Sequence, residues 1–233
     1  YSGAHYLDQA NFLAERLGAE RASLPLFEYH LAGLANVRTG LATLSLPALR
    51  RQFALPFAQE QVPFRRKLKA KLLGAKGALH TTHEVDGQLL HIVNAHLTHD
   101  IDSQKEYELQ TLLDYCHRLD PVVLLGDLNT SPLPTRGSDM VEVHHFGSDS
   151  CMELLSSYST SHPGRMHFDA RLAAFGQNAP AIADVCTYPA GAESIKLDYC
   201  IGFSTKESFS LSAETIHSWP HSNHSATSCL VSW

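Results

Sequence analysis

The chain is predicted to be an α/β or α+β protein, and three observations carry that prediction. Short apolar strands such as VVLL and QLLHIVNAHL alternate with a helical stripe, Leu109, Leu112, Leu113 and Cys116. Turn signals punctuate them, notably Asp86-Gly87, Asp120-Pro121 and Pro132 with Pro134. With 233 residues, 44% hydrophobic and 18% charged, the chain has the material for one sizeable core.

Taken in order, Tyr6, Ala10, Leu13 and Leu17 share one helical face, and Gly18 is placed to end that helix. Gly40–Ser45, GLATLS, reads as a short strand closed by Pro47. GALHTTHEV and QLLHIVNAHL flank Asp86-Gly87, a dipeptide suited to a tight hairpin turn. In the second arm Leu90, Ile92, Asn94 and His96 point one way, and Leu89, His91, Val93, Ala95 and Leu97 the other. Apolar residues dominate both sets, which predicts burial on both faces. Ser103 and Glu106 form a capping box for the next helix, which ends by Asp120-Pro121 and leads into VVLL. Residues 131–184 read as loops with short helices. KLDYCIG and SATSCLVSW read as late strands.

No run of eighteen apolar residues predicts a membrane span, and no signal-peptide pattern is visible, so an intracellular setting is the expectation. The five cysteines are odd in number and lack a CxxC pair, which argues against a disulfide framework and for a reducing compartment. Net charge is −6, yet eight of the eighteen Lys and Arg lie between Arg50 and Lys76. The segment with Arg65, Arg66, Lys67 and Lys69 is either a solvated face or a surface for a phosphate-bearing partner.

Polar residues at strand ends are the functional signal. PVVLLGDLN delivers Asp127 and Asn129 to the rim of a sheet, either as a plain Asx turn or as a pair of oxygen-handling groups. Asp198 sits in a strand whose neighbours Leu197 and Tyr199 are apolar, so it needs water or a dedicated partner. His224, just ahead of the last strand, is the candidate partner, held in one tautomer by that carboxylate. His96 ends its strand beside Asn94 on the same face.

In this order, GLATLS, VNAHL, VVLLGDLN, KLDY and SNH before a terminal strand, the chain resembles the endonuclease/exonuclease/phosphatase superfamily over roughly Gly40–Trp233. The resemblance implies two mixed β-sheets packed as a sandwich with helices outside, forming a single domain over residues 1–233. It implies metal-dependent hydrolysis of a phosphate ester, with magnesium or manganese as cofactor. His224 would face the phosphate, Asp198 orient it, Asp127 position water, Asn129 hold a phosphate oxygen and His96 donate to the phosphoryl group. Asn94, Arg65, Arg66, Lys67 and Lys69 would bind substrate, and Asp127 with Asn223 the metal. The substrate would be a phospholipid headgroup, a phosphoinositide or nucleic acid, with peripheral membrane contact in the lipid cases.

Two departures qualify the likeness. The glutamate metal ligand and first strand of the family have no counterpart after Tyr1, and neither Glu15 nor Glu20 stands in for them. The family's SDH reads SNH here, so Asn223 offers an oxygen without its charge. A family member that binds phosphates, lipids or proteins without turnover is therefore the rival expectation. A zinc site is a weaker one. His96 and His99 would point to opposite faces of a strand, and Pro220 interrupts the helical spacing of His217 and His221. The adjacent pair His144-His145 is another histidine group on which that rival draws, and surface histidines are the preferred explanation.

Overall fold

A computed structural model describes residues 9–31, 35–58, 76–99, 101–130, 149–162, 165–168, 187, 197–216 and 224–233. The chain divides into two compact units, Tyr1–Ala95 and His96–Trp233.

The first unit opens with helix α1, Gln9–Leu17, which Gly18 ends in a left-handed conformation, φ 63°. Its expected apolar face is not a buried one. Leu13 and Leu17 are 48% and 59% exposed, and the buried position is Ala14, so the helix meets its neighbours on a different side from the one its leucines mark. Strands β1 (Glu20–Leu31) and β2 (Ala35–Ser45) form a long antiparallel ribbon, so GLATLS is the end of a longer strand. The sequence pattern missed β1, since Pro25 breaks its run and the register shifts there. Strand β3 (Leu49–Pro56) pairs antiparallel with β4 (Gly77–Val85), and β4 turns into β5 (Gln88–His96). That turn is the expected one: Asp86 and Gly87 both have positive φ, 51° and 76°. Strand β5 is buried on its Val93, Ala95 and Leu97 side, while Leu90, Ile92, Asn94 and His96 are only half-buried. The expectation of two fully buried faces is corrected accordingly.

In the second unit, helix α2 (Asp102–Cys116) buries Leu109, Leu112, Leu113 and Cys116 as its spacing predicts. Each such leucine contributes about 1.5–3 kcal/mol by leaving water. The capping box is not formed: Ile101 is the N-cap residue and makes no side-chain cap. The helix starts one residue before Ser103, and Asp102 supplies the negative charge its N-terminus favours. Strand β6 (Val122–Asp127) follows. Residues 131–184, expected as loops with short helices, contain the thirteen-residue helix α3 (Asp149–Ser161) and a strand outside that expectation, β7 (Met166–Phe168). Strand β8 (Asp198–Phe203) lies between β6 and β7 and is antiparallel to both. Strands β9 (Ser210–Ile216) and β10 (Ala226–Ser232) pair as a separate hairpin. Val122, Leu124, Leu155, Ile201 and Phe203 complete the core, and Tyr158 donates its hydroxyl proton to the Leu113 carbonyl, tying α3 to α2.

The cysteines do not follow expectation. Cys200 on β8 and Cys229 on β10 form a disulfide that staples the two sheets of this unit together. Cys116 and Cys151 are free and buried, as small hydrophobes are expected to be. The pairing is invisible in the sequence because strands 29 residues apart meet only once two sheets stack. Among the described residues no helix is long and apolar enough to cross a membrane.

Candidate active site

The site lies in the second unit, at one end of the β6–β8 pair. The register sets Asp127 opposite Asp198, so the last residue of one strand faces the first of the other. Asp198 therefore opens its strand; the expected mid-strand position is corrected. At a strand end a carboxylate can face partners beyond the sheet instead of entering the core.

Asp127 is delivered by Gly126, whose φ of 132° is a conformation L side chains rarely adopt. Asp127 Oδ1 accepts from the Asn129 backbone N–H at 2.9 Å, the predicted Asx turn. Oδ2 lies 3.8 Å from His96 Nε2. The Asx-turn expectation for this carboxylate holds, and its second oxygen faces His96. Asn129 takes a left-handed φ of 49°, which asparagine tolerates better than most residues. It is buried, and its Nδ2 donates to the Leu97 carbonyl at 2.9 Å. The Leu97 N–H donates to the Asp127 carbonyl at 3.0 Å, which locks the residue after His96 to the end of β6.

Across the site His224 Nδ1 pairs with Asp198 Oδ2 at 2.8 Å, both side chains about one quarter exposed. This bond, together with the negative charges of Asp198 and Asp127, raises the His224 pKa above its usual 6.5 against the opposing effect of burial. The imidazole is thus biased toward its protonated form, with Nδ1 engaged and Nε2 the nitrogen turned from the carboxylate. His224 is set by local chain geometry, since the Ser225 N–H beside it donates to the Thr187 carbonyl at 2.8 Å. Thr187 Oγ1 in turn accepts from the Leu197 and Asp198 N–H groups at 3.1 and 3.2 Å. One fully buried threonine therefore joins the two segments that carry the pair. Tyr199, next to Asp198, donates to the Thr130 carbonyl at 2.9 Å, and Leu128 N–H to the Leu197 carbonyl at 2.9 Å.

Asp127, Asp198 and His224 each present a donor atom within 4.8 Å of the others. The two carboxylates suit a divalent cation, since carboxylate oxygens are the ligands magnesium takes, while His224, held at Nδ1 by Asp198 and biased toward its protonated form, offers a hydrogen bond instead of a lone pair. Among the described residues this is the group of three or more donors close enough to share an ion.

Of the residues expected from sequence, the structure brings together Asp127, Asn129, Asp198, His224 and His96 in the second unit. Asn94 belongs to the first unit, where its Nδ2 donates to the Ala42 carbonyl at 3.1 Å. Arg65, Arg66, Lys67, Lys69 and Asn223 lie outside the described residues, as do His217 and His221. Sequence reasoning missed Thr187, Thr98, Lys105 and Glu108. A threonine in a loop and a charged residue on a helix carry no local signal. A search for one would have had to notice that Lys105 and Glu108 fall on the same side of α2 as Leu109 and Leu112.

No family model matches the sequence, and no curated protein matches it. Solved structures do. An endonuclease/exonuclease/phosphatase from Beutenbergia cavernae is similar with a TM-score of 0.66 at 16% identity, over 99% of this chain and 59% of its own. An endonuclease/exonuclease/phosphatase family protein from Leptotrichia buccalis gives 0.62 at 15% identity, over 100% of this chain and 81% of its own. The human Nocturnin catalytic domain with bound sulfate anion gives 0.56 at 18% identity, over 97% and 76%. This chain thus spans less than two thirds of the Beutenbergia protein's length. At these identities the likeness shows the fold: the chain has the endonuclease/exonuclease/phosphatase fold that its ordered motifs imply.

Proposed function

We propose that the chain hydrolyses a phosphate ester with the help of a divalent cation, magnesium or manganese. The observation that carries this reading is the His224–Asp198 pair standing beside Asp127 at a shared strand end. Phosphoryl transfer asks mainly for positioning and for neutralisation of charge on the phosphate oxygens. A bound cation would supply much of that neutralisation, with Asp127 and Asn223 as its expected ligands and Asp198 close by. His224, biased toward the protonated form, donates to a phosphate or leaving oxygen from Nε2. Asp127 orients the attacking water. His96 donates to the phosphoryl group, and Asn129, whose amide has a second N–H beyond the one on Leu97, holds a phosphate oxygen. The sulfate bound by the Nocturnin domain, a tetrahedral oxyanion like phosphate, supports the substrate class.

The finer assignment is a phosphodiester in a phospholipid, a phosphoinositide or nucleic acid. Arg65, Arg66, Lys67 and Lys69 would capture its charge, with Asn94 assisting, and a lipid substrate would bring peripheral membrane contact. A second reading, binding without turnover, is favoured by Asn223 standing where the family carries an aspartate.

The experiment is hydrolysis of bis-p-nitrophenyl phosphate with magnesium, with EDTA as control, followed by lipid, nucleotide and nucleic-acid substrates. Cation-dependent turnover that is lost in His224→Ala supports the hydrolase. Turnover no higher than that of the His224→Ala variant supports the binding module.

A further inference from the structure

Away from the groups that would touch substrate, α2 turns a polar face inward. Gln104, Lys105 and Glu108 are fully buried. Charged side chains enter an interior where they find partners, and both charged groups do so here. Lys105 Nζ donates to the Asn129 carbonyl at 2.9 Å and lies 3.3 Å from Asp102 Oδ1. Glu108 accepts from the Thr98 backbone N–H at 2.7 Å, from Thr98 Oγ1 at 2.9 Å and from Gln104 Nε2 at 2.9 Å.

One turn of helix thereby grips both strand exits. Thr98 lies two residues beyond His96, and Asn129 two beyond Asp127. The exits are also bonded to each other through Leu97. Apolar side chains of the same volume would fill this space with less desolvation, so stability alone does not account for the charges. What the charges add is direction. Asn129 holds a left-handed backbone, and Lys105 bonds the carbonyl whose orientation that backbone sets.

We propose that Lys105 and Glu108 are positioning residues that hold the Asn129 turn and the Thr98 exit, and through them aim Asn129, Asp127 and His96. The catalytic consequence rests on the phosphoesterase reading; the structural one does not. Neither residue touches substrate. Their work is to keep reacting groups aligned, where a small misplacement costs rate more than affinity.

The test uses the whole chain and Lys105→Met, which keeps length and removes the ammonium. Backbone amide exchange at Thr98 and Asn129 should quicken about tenfold relative to Leu124 in β6. The kcat for bis-p-nitrophenyl phosphate with magnesium should fall about ten- to a hundredfold with KM within about twofold, and Lys105→Arg should recover part of both. Unchanged exchange at Thr98 and Asn129 overturns the proposal. Uniform acceleration over the whole unit overturns it as well, because that marks a structural role only. Thr98→Val removes one Glu108 bond without emptying the interior and is read the same way if Lys105→Met does not fold. A wild-type chain without turnover defeats the phosphoesterase reading, while the exchange measurement still decides the positioning.

Discussion

His224 Nδ1 and Asp198 Oδ2 stand 2.8 Å apart although 26 residues of chain separate them, and the carboxylate raises the pKa of the imidazole it holds. Two supports bring them together: Thr187, bonded to the backbone on both sides, and the Cys200–Cys229 bridge two residues past Asp198 and five past His224. An acid that donates from Nε2 needs this arrangement, since the engaged Nδ1 fixes both the tautomer and the ring direction.

Asp198→Asn should therefore lower kcat about a hundredfold or more, in the range expected for a disturbed general acid. The amide keeps the shape and removes the charge, so the His224 pKa should drop from its raised value. The alkaline fall in kcat should move to lower pH with it. NMR titration of His224 beside a kcat–pH profile checks both, and an unmoved His224 titration would show that Asp198 does not control it.

Asn129 allows backbone and side chain to be separated. Asn129→Gly keeps the left-handed φ and loses the amide, whereas Asn129→Ala loses the amide and adds about 1 kcal/mol of backbone strain. Either leaves the buried Leu97 carbonyl without its donor, at a further cost of about 1–3 kcal/mol. The alanine variant should be the less stable in urea, and both should lose turnover to a similar extent.

The disulfide closes a separation of 29 residues, which corresponds to about 3–4 kcal/mol in the chain-entropy model. Cys229→Ser should lose stability of that order in urea unfolding. Adding a reductant should then destabilise the wild type and leave the variant unchanged. A wild type insensitive to reductant in the unfolding experiment would contradict the bridge.

In the first unit, burial and the neighbouring His91 and His83 hold the His80 pKa down at about 4. His80 Nε2 also meets His91 Nδ1 at 2.9 Å, and its ring stacks on Phe53. The folded form keeps His80 neutral while the unfolded chain protonates it below its ordinary 6.5. Its contribution is thus fully present above pH 6.5 and declines as pH falls toward 4. Urea unfolding between pH 7 and pH 4 should show that decline, and His80→Asn should flatten it.

Much of the site was legible because its residues interrupt strong patterns. Asp127 follows four apolar residues and a glycine, His96 ends an apolar run, and Asp198 stands between Leu197 and Tyr199. A polar group at such a place needs a reason, and order along the chain linked those reasons to one family's fold. The DG turn, the α2 stripe and strands β8 and β10 were legible on the same grounds, since period and turn chemistry are local, whereas β9 was missed. What was misread depended on neighbours. Ser103 caps nothing because the helix begins one residue earlier, at Asp102. Leu13 and Leu17 have the right spacing on a face that meets no core.

By itself the sequence determined the alternation of strands and helices, the hairpin at Asp86-Gly87 and the identity of the groups available for chemistry. Only the tertiary structure decided which of them meet. The pairing of Asp127 with Asp198 is a matter of strand register, the Cys200–Cys229 bridge one of sheet stacking, and the burial of Lys105 and Glu108 one of how a helix seats on two loops. Propensity and period act over a few residues, whereas register and stacking are set by the packing of segments far apart in the chain.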